Sequence, residues 1–479
     1  MISHEVFKDT LLKCWKGNIP KRVVVALSGG VDSVCLTYLL SEYRNKYNPQ
    51  LDINAITIDH KYRINSDHEA VKVGELVRKW GVNHIIKGLS YEQNIHNLSS
   101  FEEVARMKRY KVFEDICLEL NSDLLVAHNL NDQIETFVQR LQGNSSLFGL
   151  CGLKLRSVLP VQQQIPYKHQ ILVLRPLLSF DKQQLIETCQ NSNIKWFEDI
   201  TNKDITLTRR NYLRHLINDI IPNNDKYNSI SKQNLIETHQ QVVDLSNCLL
   251  KKVKYIHEYM IDNDCIKVDE KNAKLRLIFP KSLLTTDSIL PFSRYLYFTL
   301  FPFSSVKHYH WVYAKLERQL VPRFVNYLQT NNKSRGKFIY LNLVFEMTSY
   351  ADRILLEVVR QPIQRTDLSQ IETSVSITNE WSSWVMFDRR FWLRFKSNSS
   401  SNHPTSLTIV PYNHKLHRKL LHPNIAQSDI FSPSINTIPA IINNDNMIVG
   451  LPTHDLYIDN SISGEWTLKP NVYSKDLMD

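Results

Sequence analysis

The sequence predicts an α/β fold, with a parallel sheet in the N-terminal half, then a helical domain and a smaller α+β or β domain. Three observations predict it. Short β-branched runs alternate with segments of helical periodicity up to Ile221, a glycine-containing loop directly follows the first run, and the texture of the chain changes near residues 222 and 338. Strands that alternate with helices form parallel sheets covered on both faces.

Each element has its own signal in the sequence. Apolar residues recur every three or four positions in 101–120, which predicts a long helix. Similar spacing predicts helices over 6–15 and 181–189. Ligands of such sheets bind at the carboxyl ends of the strands, near the point where the strand order reverses. The predicted strands are residues 23–27, 53–58, 82–86, 124–127 and 171–174.

Length and charge limit the possible organisation and partners. The chain has 479 residues and a mass of 56.1 kDa, which is too large for one ordinary core. We expect three domains, over residues 1–222, 229–325 and 335–479. The 58 Lys and Arg exceed the 48 Asp and Glu by 10, which favours a polyanionic partner. A merely basic surface is the alternative.

The sequence argues against several classes of protein. No window of about 18 uninterrupted apolar residues occurs, so we expect no membrane span. The seven cysteines are scattered and include no C-x-x-C pair. This argues against a disulfide scaffold, a zinc ribbon or a cysteine-held cluster, and it favours a reducing compartment. Glu5 and Asp9 are unlike an organelle transit peptide, which avoids acids.

The loop of residues 28–33 reads Ser-Gly-Gly-Val-Asp-Ser and opens a predicted helix. Two glycines allow a sharp turn that directs several N–H groups at one anion, and the helix N-terminus adds positive potential there. Ser28 and Ser33 can donate hydroxyl hydrogen bonds. The alternative is an ordinary Gly-Gly turn with an Asp/Ser helix cap. No lysine follows the glycines, so the loop is not a Walker A motif.

The loop resembles the SGGxDS PP-loop of N-type ATP pyrophosphatases, which cleave ATP between the α and β phosphates and adenylate an oxygen of the substrate. The resemblance implies an adenine nucleotide alpha hydrolase-like fold and a grip on pyrophosphate by residues 28–33. It also implies that Asp32 holds Mg²⁺, since this hard cation prefers carboxylate and phosphate oxygens.

Six further segments carry recognisable motifs: Ile-Asp-His at 58–60, an EAxARxxRY-like helix at 103–110, an HHxDDQxET-like segment at 128–136, the glycines of 143–153, RPLL at 175–178, and a W-x-E-D…RNxxRH-like stretch at 196–215. These segments, over about residues 22–221, resemble the tRNA(Ile)-lysidine synthase family in that family's order. There are four departures from its patterns, at Asn129 (usually His), Asn131 (usually Asp), Gln142 (usually Arg) and Leu153 (usually Met).

That resemblance implies the chemistry. The family uses ATP and Mg²⁺ to join the ε-amino group of lysine to C2 of the wobble cytidine in a tRNA(Ile) with a CAU anticodon, releasing AMP and pyrophosphate. Asp132 and Glu135, three apart on one helix face, would bind the lysine and take its proton. Arg106 and Arg109 would stabilise phosphate charge. ATP would also meet Asp59, His60 and His128, and tRNA phosphates would meet Arg209, Arg210 and Arg214.

Bland interpretations stay open for these residues. Asp132 and Glu135 fit a solvated helix face, and the arginines of 209–214 fit the end of a surface helix. In the second half, bases and aromatics interleave over 294–318, which is typical of a core stripe but also of an RNA-stacking surface. The resemblance implies that the two C-terminal domains bind tRNA.

Other functions and the compartment also stay open. A tRNA thiolase, a small-molecule adenylating ligase and a non-catalytic RNA-binding descendant are the alternatives. The absence of C-x-x-C argues against the thiolase, while the basic charge and the long second half argue against the small-molecule ligase. Expected partners are the CAU-anticodon tRNA(Ile) and free lysine, with no membrane and a homodimer left open. We expect a mitochondrial protein, with the bacterial cytoplasm as the alternative.

Overall fold

A computed structural model describes most of the chain, in two compact units built from residues 1–162 with 169–246 and from 163–168 with 247–479. The division falls inside a 31-residue helix, and the three predicted domain ranges stay a prediction. The described residues are 1–59, 66–91, 101–160, 166, 170–197, 204–206, 208–307, 309, 312–330, 335–398, 405–426, 430–431, 435–443, 446–458 and 460–471.

The first unit is built around a six-stranded sheet of order β3-β2-β1-β4-β6-β5, in which only β5 is antiparallel. Its elements are α1 (His4–Cys14), β1 (Arg22–Ala26), α2 (Val31–Tyr47), β2 (Asp52–Asp59), α3 (Ser66–Arg78), β3 (Asn83–Gly88), α4 (Phe101–Glu119), β4 (Leu124–Leu125), α5 (Leu130–Gln142), α6 (Leu147–Leu150), β5 (Arg156–Val158), β6 (Leu172–Leu174), α7 (Lys182–Asn191) and α8 (Arg209–His215), followed by a π-helical turn (Leu216–Ile220).

Strand β1 lies at the centre of the sheet and is buried on both faces, as its run of valines requires. Val23 and Val25 belong to a core that includes Phe7 and Leu185. Val24 points the other way, into a core that includes Phe113 of α4. The chain turns outward from β1 to β2 on one side and later returns to β4 on the other. The strand order therefore reverses between β1 and β4, and their carboxyl ends form the crevice in which such sheets bind ligands.

The α/β fold predicted from the sequence is confirmed. All five predicted strands form, as do the three predicted helices, with ends displaced by no more than two residues. Strand β4 has only two residues where four were predicted. Its continuation leads into residues 126–129, which carry side chains of the site described below.

The second unit begins within α9 (Lys232–Asp262) and contains three antiparallel sheets, β7-β8-β11-β10-β9, β12-β15-β16-β17-β18 and β13-β14-β19. The first sheet takes two strands from a stretch predicted to be helical. The elements are β7 (Ile266–Asp269), β8 (Lys274–Pro280), α10 (Ile289–Thr299), α11 (Val312–Lys315), α12 (Val321–Thr330), β9 (Arg335–Tyr340), β10 (Leu343–Ser349), β11 (Arg353–Arg360), α13 (Leu368–Ile371), β12 (Thr373–Ile377), β13 (Val385–Phe387), β14 (Phe391–Ser397), β15 (Thr405–Asn413), α14 (His414–His417), α15 (Pro423–Ala426), β16 (Asn436–Ile442), β17 (Ile448–Leu451), β18 (Leu456–Tyr457) and β19 (Ile462–Leu468).

The aromatic stripe of the second half is core where the structure describes it. Tyr295 is 0% exposed and Tyr297 is 7% exposed. The guanidinium of Arg294 lies 4.9 Å from the centre of the Tyr297 ring. His308, His310 and Trp311 of the stripe lie outside the described residues. Among the helices that the structure describes, none is long and apolar enough to cross a membrane.

A buried charge cluster helps to hold the second unit together. Asp388 Oδ2 accepts hydrogen bonds from Nε of Arg360 at 3.1 Å and from Nε of Arg390 at 2.7 Å. The Asp388 side chain is 3% exposed, and the Arg390 side chain is fully buried. Removing the carboxylate would leave two guanidinium groups in a poorly solvated place, which costs far more than losing a surface ion pair.

We predict that Asp388→Asn lowers the free energy of unfolding of this unit by about 3 kcal/mol, because the buried arginines lose their counter-charge. Asparagine tolerates the positive φ of 43° at this position. Urea denaturation measures the change. The matched control is Asp352→Asn, whose ion pair with Arg353 is mostly exposed and should be worth about 0.5 kcal/mol or less. Equal effects of the two variants would contradict the prediction.

Candidate active site

The loop of residues 28–33 is held in one conformation by its first glycine. Gly29 has φ +87°, and a Cβ atom there would lie 2.8 Å from Cγ2 of Val73. An L-residue would therefore be strained and would also clash with α3. The backbone N–H of Phe197 donates to the carbonyl of Gly29 at 3.0 Å. Contacts from distant parts of the chain thus fix the turn.

The two serines of the loop bind to each other across the turn. Ser33 Oγ accepts from the Ser28 backbone N–H at 3.1 Å and donates to the Gly30 carbonyl at 3.0 Å. The Ser28 and Ser33 hydroxyls lie 3.1 Å apart. Helix α2 starts at Val31 with Gly30 as its N-cap, and no side chain caps it. Its first N–H groups and its positive end are therefore suited to an anion.

Asp32 is the carboxylate of this loop. Its Oδ1 accepts from Nδ2 of Asn129 at 3.2 Å, and its Oδ2 lies 3.7 Å from Nζ of Lys182. Burial raises the pKa of Asp32, and the nearby carboxylate of Asp132 raises it further, while Lys182 and Asn129 oppose the rise. The carboxylate is thus short of positive charge in its present surroundings.

Asn129 joins that carboxylate to a second one. It is the N-cap of α5, where its Oδ1 accepts from the Asp132 N–H at 3.2 Å and its own N–H donates to Asp132 Oδ2 at 3.0 Å. This is a capping box, in which the side chain of each residue accepts a hydrogen bond from the backbone N–H of the other. The remaining amide N–H of Asn129 reaches Asp32, so one 2%-exposed side chain fixes both acids.

Glu135 lies one turn further along α5 and is paired with two arginines of α8. Arg210 Nε donates to Glu135 Oε2 at 2.9 Å, and Arg214 Nε donates to Glu135 Oε1 at 2.8 Å. Arg210 also binds Asp132 through Nη2. The side chain of Asp132 is only 14% exposed and that of Glu135 only 5%, so these two acids do not lie on a solvated helix face.

The packing of α8 on α5 explains this arrangement. Ile134 and Phe137 of α5 share a small core with Ile217, which follows α8. Burial lowers the pKa of Arg210, but Asp132 and Glu135 outweigh that effect and the net shift is upward. The Arg210 side chain is nevertheless 47% exposed, and the exposed Arg209 donates to Gln142 Oε1 at 2.7 Å. The tRNA role predicted for these arginines stays a prediction.

Arginines also surround His128, the residue that precedes Asn129. Burial lowers the pKa of His128 to about 3, assisted by the charges of four arginines. The imidazole is therefore neutral at physiological pH. Its Nδ1 atom is buried and has no hydrogen-bond partner within the described part of the chain. The four arginines are Arg175, Arg210, Arg106 and Arg109.

Two of those arginines, the predicted phosphate ligands on α4, do share a helix face. The guanidinium carbons of Arg106 and Arg109 lie 4.9 Å and 5.8 Å from the centre of the Tyr110 ring. Burial lowers the pKa of Arg109, and the charge of Arg106 lowers it further. Both cations contribute to the positive potential around His128.

The departures from the family pattern have structural partners. Asn131 Oδ1 accepts from the backbone N–H of Lys182 at 3.2 Å, which ties α5 to the start of α7. Gln142 Oε1 accepts a hydrogen bond from Arg209. Gly152 has φ +72° and packs against Gln133, whose Oε1 accepts from the Leu153 N–H at 2.6 Å. The glycine-rich segment after α5 is thereby fastened to that helix.

The structure brings together most of the predicted site residues at the carboxyl ends of β1 and β4. Asp59 ends the neighbouring strand β2 and is buried. His60 lies outside the described residues, as do Glu198, Asp199 and Asn202. Sequence reasoning missed the bridging role of Asn129, the position of Lys182 and the pairing of Glu135 with arginines. Lys182 could have been found, because it starts the helix after strand β6 and so lies near the same edge.

The acids suit a divalent cation that is shared with a substrate. Asp32 and Asp132 are close enough to raise the pKa of Asp32, and a lysine lies nearby. Within the described ranges, no cluster of three or more His, Cys, Asp or Glu side chains could hold a metal by itself. Mg²⁺ characteristically takes only one or two carboxylates and completes its shell with phosphate oxygens and water. The residues present therefore fit Mg²⁺ bound together with a polyphosphate.

Comparisons with known proteins support the resemblance. Residues 3–221 match the family model described as a PP-loop domain. The chain is 26% identical over 447 residues to a protein of Schizosaccharomyces pombe named probable tRNA(Ile)-lysidine synthase, covering 90% of this chain and 91% of that one. It is 34% identical over 194 residues to the tRNA(Ile)-lysidine synthase of Rickettsia akari, covering 40% of this chain and 41% of that one.

Among solved structures, a U34-tRNA thiolase of Methanococcus maripaludis matches with a TM-score of 0.37 and 18% identity, over 50% of this chain and 81% of that one. The resemblance inferred from the motifs is confirmed by the family match and the named relatives. Residues 3–221 of this chain thus match a PP-loop domain, and the chain is similar to proteins named tRNA(Ile)-lysidine synthase.

Proposed function

We propose that this chain is a tRNA(Ile)-lysidine synthase. It ligates the ε-amino group of lysine to C2 of the wobble cytidine in a tRNA(Ile) with a CAU anticodon, and it converts ATP to AMP and pyrophosphate. The similarity of the chain to proteins of that name supports the assignment. The substrates are ATP, free lysine and the tRNA, and Mg²⁺ accompanies ATP.

One observation carries the proposal. Asn129 hydrogen-bonds Asp32 of the anion-binding loop and Asp132 of the acidic pair at the same time. A site for a departing pyrophosphate therefore adjoins a site for a cation such as an ammonium. An enzyme that first activates a base with ATP and then attacks it with an amine requires these two sites side by side.

In the first step, O2 of the cytidine attacks the α-phosphorus of ATP and the bond from that phosphorus to the bridging oxygen breaks. Negative charge grows on the leaving pyrophosphate, which the uncapped N–H groups of α2 and the hydroxyls of Ser28 and Ser33 can stabilise. Asp32 would hold Mg²⁺, which would supply further positive charge there. The charges of Arg106 and Arg109 on α4 lower the pKa of His128, so both cations lie near the site and could bind phosphate oxygens.

In the second step, the lysine nitrogen attacks C2 and the C2–O bond to AMP breaks. The amine must lose protons to become nucleophilic, and Asp132 or Glu135 is the candidate acceptor. Both carboxylates are occupied by Arg210, and Glu135 also by Arg214. An incoming ammonium would compete with these guanidinium groups. Lysine binding therefore requires that Arg210 shift, and tRNA phosphates offer it another partner.

The thiolase alternative receives no support from the cysteines near the loop. Cys35 is fully buried in the core, and a hydrogen bond with Cys189 and burial both raise its pKa. A buried neutral thiol is a poor nucleophile. Cys151 donates to the Leu147 carbonyl at 3.5 Å.

Incorporation of labelled lysine tests the proposal. We predict that the protein, with ATP and Mg²⁺, transfers radiolabelled lysine to a CAU-anticodon tRNA(Ile) transcript and releases one AMP per lysine. Glu135→Gln should lower kcat/KM for lysine at least about 100-fold, because the buried carboxylate both binds the amine and faces its proton. Glu119→Gln, an exposed change on α4, should have no effect.

The outcomes separate the alternatives. Thionucleosides formed with a sulfur donor would indicate a thiolase, and AMP release without any RNA would indicate a small-molecule ligase. Lysine that fails to enter the CAU-anticodon tRNA under conditions in which ATP binds would contradict the proposed function.

We also predict that His128 stays neutral through the working pH range. Because its pKa is about 3 when folded, against an ordinary 6.5, the unfolded chain takes up the proton first as the pH falls. The stability that this residue contributes is complete above pH 6.5 and is lost as the pH falls towards 3. NMR of labelled histidine, assigned with His128→Gln, should show no titration of its imidazole between pH 8 and 5. A midpoint near 6.5 would refute the arginine-surrounded site.

A further inference from the structure

The loop lacks the lysine with which other phosphate-binding loops neutralise the β and γ phosphates, yet an ammonium lies beside it. Nζ of Lys182 is 3.7 Å from Oδ2 of Asp32. Lys182 is the first residue of α7, about 150 residues further along the chain. We propose that Lys182 is the cation that binds the pyrophosphate portion of ATP, an inference that rests on the proposed use of ATP.

The backbone of Lys182 is fixed while its side chain is loosely held. Asn131 Oδ1 accepts from the Lys182 N–H, and the Leu130 N–H donates to the Phe180 carbonyl at 2.9 Å. Asp181 caps α7 and is itself paired with Lys232. The start of α7 is therefore fastened to α5 from both sides. The ammonium, by contrast, is outside hydrogen-bond distance of Asp32, and the Lys182 side chain is 41% exposed.

A metal ion at Asp32 would repel the ammonium of Lys182. The ammonium of Lys182 lies 3.7 Å from Asp32 Oδ2, and its charge opposes the rise that burial causes in the pKa of that carboxyl. When Mg²⁺ binds Asp32, two positive charges would face each other, and the flexible lysine is the one that can leave. Phosphate oxygens over the uncapped start of α2 are the nearest negative charge of the bound nucleotide. Lys182 then pairs with the β or γ phosphate and stays with the pyrophosphate as it departs.

Asn131 gains a role from this geometry. The family pattern has aspartate here, and the asparagine oxygen preserves a hydrogen bond to the start of α7 without adding another acid near Lys182. An aspartate would give the ammonium a competing partner. The departure therefore suits a lysine that must change partners between Asp32 and phosphate.

Calorimetric titration of the full-length protein with Mg·ATP, AMP and Mg·pyrophosphate tests the assignment. Lys182→Met keeps the side-chain length and removes the charge. It should weaken Mg·ATP and Mg·pyrophosphate binding about 10-fold or more, because a charge-assisted hydrogen bond to phosphate is lost, and leave AMP binding unchanged. Lys182→Arg should restore most of the affinity. Lys195→Met, an exposed lysine of the same unit, is the matched control.

Each outcome decides the matter. Equal affinities of wild type and Lys182→Met for Mg·ATP and Mg·pyrophosphate would overturn the assignment while leaving the proposed function standing. An equal loss for AMP would also overturn it, since the lysine would then act on the whole fold of the site. A wild-type protein that binds neither Mg·ATP nor Mg·pyrophosphate would refute both this inference and the proposed function.

Discussion

The arrangement of the site depends on the side-chain amide of Asn129. Its oxygen caps α5 and its nitrogen binds Asp32, so one buried group spans the distance between the loop after β1 and the helix after β4. A capping box is a local device, set by a few residues at the start of a helix. Here the third polar contact of the cap makes that local device a link between two elements that lie about 100 residues apart in the chain.

Asn129 lies at the edge of the sheet where the two elements that it links come together. The carboxyl ends of β1 and β4 are neighbours because the strand order reverses between them. The valines of β1 are buried on both faces of the sheet, in two separate cores. The rigid edge holds polar groups that would repel one another elsewhere. The largely buried acids Asp132 and Glu135 adjoin the partly exposed arginines Arg210 and Arg214, and a nucleotide, a metal ion or an amine that enters would change the balance of charge.

Much of this follows from the sequence, for identifiable reasons. A short β-branched run that ends at a glycine turn is typical of a buried strand, which predicts the strand at residues 23–27. The glycines of residues 28–33 predict the phosphate loop. The hairpin of β7 and β8 was missed, since its lysines and arginines alternate with apolar residues in a stretch that also fits helical spacing. The pairing of Glu135 with Arg210 and Arg214 was missed because the partners lie 75 and 79 residues away and only the packing of α8 on α5 joins them.

The central claim is that the phosphate side and the amine side form one site, held together by Asn129. Measuring the binding of Mg·ATP and of lysine to Asn129→Ala tests it most directly, with Asn191→Ala at the exposed end of α7 as the control. We predict that both affinities fall, because Asp32 loses a hydrogen bond and Asp132 loses its cap partner in the same change. Loss of one affinity with the other at the wild-type value would contradict a single, linked site.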